Sequence, residues 1–291
     1  MNVHLIDGTY EVFRYFFAVP EHIADDGRDV AAARAVVSSL VTLLEDGGTH
    51  VGVATDHVIE SFRNDLWPTY KNGSGVDPTL KAQFPLLEAA LEAAGFTVFA
   101  MVEHEADDAL ASAARVAAAD DRVEQVLIAT VDKDLAQCVG GKVFQLDRRK
   151  GLVIDREGVI EKFGVPPESI PDYLALVGDS ADGFPGLQGW GAKSTAAVLR
   201  RWGHIGDIPD DATAWESDVR GAAKLAMTLR DNRETAELFV TLATLVDDCP
   251  TIESVDELEW TGPTGDLATV CDYLDADTMR ERIERLAAAR A

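Results

Sequence analysis

Three short apolar runs in this chain each deliver an aspartate. Val3–Ile6 is followed by Asp7, Val51–Thr55 by Asp56, and Val126–Thr130 by the Asp132-Lys133-Asp134 triplet. Runs of that length bounded by polar residues read as buried strands. Helical patterns separate them, most clearly Ala31–Leu44, which Gly47 and Gly48 stop. Strands alternating with helices predict an α/β fold with a central, mostly parallel sheet flanked by helices. In open sheets of this kind ligands bind beyond the carboxyl ends of the strands. The aspartates therefore stand where chemistry is expected.

Further elements follow the same rhythm. Tyr10–Phe17 and Pro85–Ala94 read as helices, Phe96–Val102 as a strand, and Val143–Leu146 with Leu152–Ile154 as a late hairpin. Residues 57–84 interrupt the alternation with Arg63, Trp67, Tyr70, Lys71 and Lys81, while Gly73 and Gly75 break any helix. A loop this long inside a compact domain is usually functional. From Pro166 the character changes. Pro171–Val177 and Ser194–Trp202 read as helices around a glycine-rich loop, with Gly203 as a C-cap. Residues 205–225 read as a polar surface connection, Leu225–Leu245 as one helix and Thr278–Ala289 as a short charged helix. The expected domains are a core over 1–165, including 57–84, and a region over 166–291 that contains a hairpin at 178–193.

With 291 residues, 47% of them hydrophobic, the chain can bury a substantial core. No basic stretch precedes a long apolar segment at the N-terminus, so the expectation is a cytoplasmic protein that does not enter a membrane. Cys138, Cys249 and Cys271 are odd in number and far apart, which predicts free thiols. A net charge of −25 is unlike that of a generic nucleic-acid binder. Most of the 51 acids must be surface, whether or not a few gather on a cation, so the total charge says little about partners.

Nine acids stand out by position: Asp7, Asp56, Glu105, Asp107, Asp108, Asp132, Asp134, Asp179 and Asp182. Magnesium and manganese take oxygen ligands. Two such ions can stabilise the attacking and leaving oxygens of a phosphodiester displacement, and several chain segments must supply their ligands. Asp132 and Asp134 would share one side of an extended strand end, and Asp179 and Asp182 one face of a helical turn. A lone strand-end aspartate is more often a helix cap or a solvated loop residue; the set of nine reverses that weighting. No Ser-His-Asp or Cys-His arrangement competes, and His57 and His104 read as bystanders.

These stretches resemble the 5′ nuclease, or flap endonuclease, family, which includes phage 5′-3′ exonucleases and the N-terminal domain of bacterial family A DNA polymerases. The resemblance is carried by Leu5-Ile6-Asp7-Gly8 with Arg14, by Ala54-Thr55-Asp56 with Ser61-Phe62-Arg63 and Tyr70-Lys71, and by Glu105-Ala106-Asp107-Asp108-Ala109-Leu110-Ala111. It continues through Thr130-Val131-Asp132-Lys133-Asp134-Leu135 and Gly178-Asp179-Ser180-Ala181-Asp182-Gly183-Phe184-Pro185-Gly186, then Gly189-Trp190-Gly191-Ala192-Lys193-Ser194. It implies a nuclease core with a flexible arch at 57–84 and a helix-hairpin-helix module. One metal group would be Asp7, Asp56, Glu105, Asp107 and Asp108, and the other Asp132, Asp134, Asp179 and Asp182, holding two Mg²⁺ or Mn²⁺ ions.

By the same resemblance Lys71, Arg14 and Arg63 are the cations near the scissile phosphate. Tyr70 stacks on DNA or anchors the arch. Gly186, Gly189, Gly191, Lys193 and Ser194 bind duplex backbone, with a potassium ion held by main-chain oxygens. The implied activity is metal-dependent 5′-3′ exonuclease or flap endonuclease cleavage, leaving a 5′-phosphate and a 3′-hydroxyl in replication or repair. Its partners are DNA with a 5′ flap, nick or single-strand/duplex junction, together with RNA primers, and the expected state is a monomer; the chain reads either as a stand-alone enzyme or as a part of a longer polymerase. Two positions depart from the family pattern: Ser74 stands where an arginine is frequent, and Gly183 where asparagine is common. The alternatives are a PIN-like ribonuclease, which needs neither arch nor hairpin, and a non-catalytic, structure-specific DNA-binding protein.

Overall fold

The computed structural model describes residues 1–215 and 219–290. The chain runs β1 (Asn2–Asp7), α1 (Gly8–Phe16), α2 (Ala31–Glu45), β2 (His50–Asp56), α3 (Arg63–Leu66), α4 (Pro78–Ala93), β3 (Thr97–Met101), α5 (Ala106–Ala119) and β4 (Gln125–Ala129). Then come β5 (Val143–Asp147), β6 (Leu152–Ile154), α6 (Arg156–Phe163), α7 (Ile170–Val177), α8 (Ala192–Trp202), α9 (Ala222–Asp231), α10 (Arg233–Ala243), α11 (Leu267–Tyr273) and α12 (Asp277–Arg290). Two compact units result: residues 1–59, 73–130 and 246–291 form one, and residues 60–72 and 131–245 the other. These units follow packing and not chain order, so each is assembled from separate stretches of sequence. Residues 216–218, inside the connection expected over 205–225, lie outside the described residues.

In the first unit β3, β2, β1 and β4 pair in that order, all parallel. Val3 faces His50 and Asp7 faces Ala54, so the carboxyl ends of β1 and β2 lie side by side. Every residue of β2 is buried, as a central parallel strand requires. The apolar stripe of α2, from Val36 and Val37 through Leu40, Val41 and Leu44, is buried in the same core. The α4 helix starts seven residues before the expected Pro85. Asp77 caps it by accepting the Thr79 amide at 2.7 Å, and Pro78 occupies the first turn, where a missing N–H costs nothing.

The second unit holds the antiparallel β5–β6 hairpin and a core that includes Tyr70, Leu174, Phe184, Trp190, Trp215 and Phe239. Two helices replace the single one expected over Leu225–Leu245. Asn232 leaves the helical region at φ −130 and divides α9 from α10. The stretch expected as a flexible arch, 57–84, is divided between several elements. Residues 60–72 pack into the second unit, 78–84 form the first turns of α4, and a short 3-10 turn at Gly73–Gly75 joins them. Among the described residues no helix is long and apolar enough to cross a membrane.

Candidate metal centre

In the second unit Asp134, Asp179 and Asp182 each offer a carboxylate oxygen, and the three oxygens lie within 4.8 Å of one another. Asp134 follows β4 at the start of a short 3-10 turn, with its amide donating to Asp132 Oδ1 at 3.1 Å. Asp179 and Asp182 come from the tight loop after α7. There the Asp179 amide donates to the Phe184 carbonyl at 2.9 Å and the Phe184 amide donates back at 3.0 Å. Asp134 and Asp179 are buried and Asp182 is half-buried.

Buried carboxylates this close repel one another. Burial pushes the Asp134 carboxyl well above the usual carboxylate range, and the charges of Asp182, Asp132 and Asp179 push it further. Its Oδ1 is buried without a hydrogen-bond partner. Lys133 Nζ lies 2.5 Å from Asp179 Oδ2 and offsets part of the charge. Burial opposes the Lys133 ammonium, but the hydrogen bond and charge of Asp179 outweigh it and raise its pKa. An orphaned oxygen inside three converging carboxylates matches the donor set of a hard divalent cation.

The first unit arranges the other acids differently. Asp7 caps α1, with Oδ1 accepting the Tyr10 amide and Oδ2 the Thr130 hydroxyl, both at 2.8 Å. Asp56 Oδ1 accepts the amide of Ala106, the first residue of α5, at 2.7 Å. That bond ties the end of β2 to the helix start that carries Glu105, Asp107 and Asp108. Among the described residues this group does not bring three ligand atoms as close together as the first trio does. Asp108, expected to be a ligand, is fully buried, and its two oxygens accept the amides of Glu105 at 3.0 Å and Val246 at 2.9 Å. Its observed work is to cap α5 and hold the segment at 246.

Residues 2–164 match the model of the 5′-3′ exonuclease N-terminal, resolvase-like domain, and residues 165–266 that of the 5′-3′ exonuclease C-terminal SAM fold. The chain belongs to the 5′-3′ exonuclease family. The 5′-3′ exonuclease of Aquifex aeolicus is 31% identical over 260 residues, covering 89% of this chain and 86% of that protein. DNA polymerase I of Pseudomonas aeruginosa is 34% identical over 264 residues, 87% of this chain but 28% of the polymerase. The chain thus spans less than a third of the polymerases it matches.

Two solved structures share the fold of this family member. The phage T5 5′-exonuclease with bound divalent zinc ions superposes with a TM-score of 0.68 at 21% identity, over 99% of this chain and all of that one. The catalytic core of Rad2 in complex with DNA substrate gives 0.63 at 14% identity, over 97% and 91% of the two chains. Both likenesses are of fold, the α/β arrangement described above.

The expected cations of this chain divide. Lys71 joins the acid trio through its backbone: its amide donates to the Asp182 carbonyl at 2.9 Å. Arg14 pairs with buried Glu11 and stacks 3.9 Å over the Tyr15 ring. Arg63 is a correction. It is 1% exposed, and Nε and Nη2 donate to the carbonyls of Leu242 at 2.8 Å and Thr244 at 2.9 Å. A guanidinium spent on buried carbonyls is a structural anchor, not a phosphate grip. Tyr70, expected either to stack on DNA or to anchor the arch, is 2% exposed in the core of the second unit, which fits an anchor. Lys133 was missed by sequence reasoning, although a lysine between two selected aspartates was the available signal.

Of the hairpin residues, Gly186, Gly189 and Gly191 lie between α7 and α8, and Lys193 and Ser194 lie in the first turn of α8. Gly189 and Lys193 are exposed, Gly186 and Gly191 half-buried, and Ser194 Oγ accepts the Gly191 amide at 3.2 Å. Ser74 is exposed in the 3-10 turn. At Gly183 the backbone has φ +81, and a Cβ there would stand 2.2 Å from the Thr69 carbonyl oxygen. Glycine at this departure from the family pattern is what allows residues 69–71 to lie against the loop.

Proposed function

We propose that this family member hydrolyses DNA phosphodiesters close to 5′ ends, nicks and single-strand/duplex junctions, leaving a 5′-phosphate and a 3′-hydroxyl during flap or primer removal. The reading rests on one observation above the others: three convergent carboxylates, one with an orphaned buried oxygen, in a 5′-3′ exonuclease chain. Asp134, Asp179 and Asp182, with Asp132 beside them, would hold one Mg²⁺ or Mn²⁺ ion. Asp7, Asp56, Glu105 and Asp107 would hold a second. When bound, such ions supply Lewis acidity toward a phosphoryl oxygen and lower the pKa of the attacking water.

The chain's own groups do the rest. Lys71, tethered to Asp182, supplies positive charge where charge develops at the scissile phosphate, with Arg14 as the second cation. The amides of Gly186–Lys193 and the start of α8 would seat a duplex phosphate as a helix-hairpin-helix, with a potassium ion on main-chain oxygens. The enzyme would act as a cytoplasmic monomer.

The test is cleavage of 5′-labelled flap, nicked and blunt DNA by purified protein with Mn²⁺. Asp182→Asn is expected to abolish cleavage while leaving DNA binding measurable by anisotropy. Intact flap DNA in the wild-type reaction would overturn the reading, and cleavage of RNA alone would favour the PIN-like alternative.

A further inference from the structure

The stretch 142–162 carries six basic residues against four acidic ones, in a chain whose net charge is −25. It includes Arg148-Arg149-Lys150, the one run of three consecutive cations in the sequence. The β5–β6 turn presents that run. Buried Asp147 closes the turn, with Oδ1 accepting the Lys150 amide at 3.2 Å and Oδ2 lying 3.0 Å from Lys150 Nζ. Gly151 follows in the left-handed region at φ +62, which turns the chain back into β6. Arg149 and Lys150 are exposed.

Beside the turn, exposed Lys162 lies in the last turn of α6, with its ammonium 4.8 Å over the Phe163 ring. Burial lowers its pKa and Lys150 adds to the lowering, while Asp132 and Asp147 oppose it. Lys162 is therefore within electrostatic reach of both the turn and Asp132, a member of the acid group. The positive strip and the Asp134, Asp179 and Asp182 trio belong to the same unit.

We propose that the β5–β6 turn is a phosphate grip for the duplex arm of the DNA substrate, with Arg149 and Lys150 at its tip and Lys162 beside it. The inference rests on the nuclease reading of the chain. Charges are screened over about 8 Å at physiological salt, so a local cluster governs contact even on a strongly acidic protein. Cations on a braced turn suit the regular phosphate spacing of a double strand, which such contacts hold without reading sequence. Single-strand binders add aromatic platforms on which bases stack, and residues 148–153 include no aromatic side chain.

The test is fluorescence anisotropy on a duplex-armed flap in chelator, across a potassium chloride series, beside a single strand of equal length. Each lost phosphate contact lowers the slope of log K against log salt by about 0.9 on duplex. R149A is expected to lose about that much, and R149A/K150A about twice as much, with the single-strand slope unchanged. With Mn²⁺ present, KM should rise while the rate at saturating DNA stays at the wild-type level. R149A leaves the Asp147–Lys150 turn intact and so reports the grip without disturbing the fold. Unchanged duplex slopes in both variants would overturn the proposal, as would an equal loss on single strand. Wild-type protein that shows the slope change but cleaves nothing would defeat the nuclease reading and leave the grip standing.

Discussion

The backbone amide of Lys71 donates to the carbonyl oxygen of Asp182 at 2.9 Å. The bond joins a cationic residue to an acid of the carboxylate trio far away in sequence. Trp67 Nε1 and Thr69 Oγ1 support the same contact by donating to the Gly183 carbonyl at 3.2 and 3.4 Å. The Lys71 backbone is thus tied to the loop that carries Asp179 and Asp182.

Replacing Gly183 should break that relationship. Gly183→Asn would force an L-residue to φ +81 and drive its Cβ into the Thr69 carbonyl. The expected cost is about 1–3 kcal/mol, measured by urea denaturation. Cleavage should fall further than stability alone explains, because Lys71 moves with Thr69. Wild-type stability in this variant would show that the loop relaxes without effect.

Divalent ions should stabilise the protein by binding the folded state. At an ion concentration near a hundred times Kd the gain is about 2.7 kcal/mol, and chelator should reverse it. Asp134→Asn is expected to raise the Tm of chelator-treated protein at neutral pH. Its folded pKa is raised, chiefly by burial, so the stability it confers is present below the unfolded carboxylate pKa and lost as pH rises through the folded value. The amide ends that loss and also ends the ion-dependent gain. Calorimetry with and without Mn²⁺ checks both signs.

Arg63→Ala should act on folding. It strips buried carbonyls of Leu242 and Thr244 of their donor, at a cost of about 2–4 kcal/mol. Arg63→Lys is expected to recover little of it, since an ammonium cannot reproduce the planar fork. A variant of wild-type stability with a collapsed kcat would return Arg63 to the chemistry.

A weaker pH dependence is expected from His204, whose Nδ1 lies 2.9 Å from Asp172 Oδ2. The hydrogen bond to Asp172 raises the His204 pKa against a smaller effect of burial. Its contribution is complete below the unfolded histidine pKa and disappears as pH rises through the folded value. The ring is largely exposed, so the effect should stay below about 1 kcal/mol. His204→Ala should flatten that part of the stability–pH curve.

The elements of the sheet were legible because strand length and apolar content are local properties. Val3–Ile6, Val51–Thr55 and Val126–Thr130 each lie within a residue of the strands observed. The start of α4 was hidden by Pro85, which reads as a helix start when Asp77 and Pro78 are overlooked. The split at Asn232 was hidden because apolar spacing continues across it.

The sequence by itself determined the strand-end aspartates, the glycine-rich loop and the family, since each depends on residue type, spacing and order. Tertiary structure decided which of those residues are used for what. It spends both Asp108 oxygens on backbone amides, buries Arg63 and Tyr70, pairs Lys133 with Asp179 and ties Lys71 to Asp182. The reason is physical: a side chain's partners and its exposure are set by segments distant in sequence. A carboxylate that caps a helix and one that awaits an ion look alike until those segments close around it.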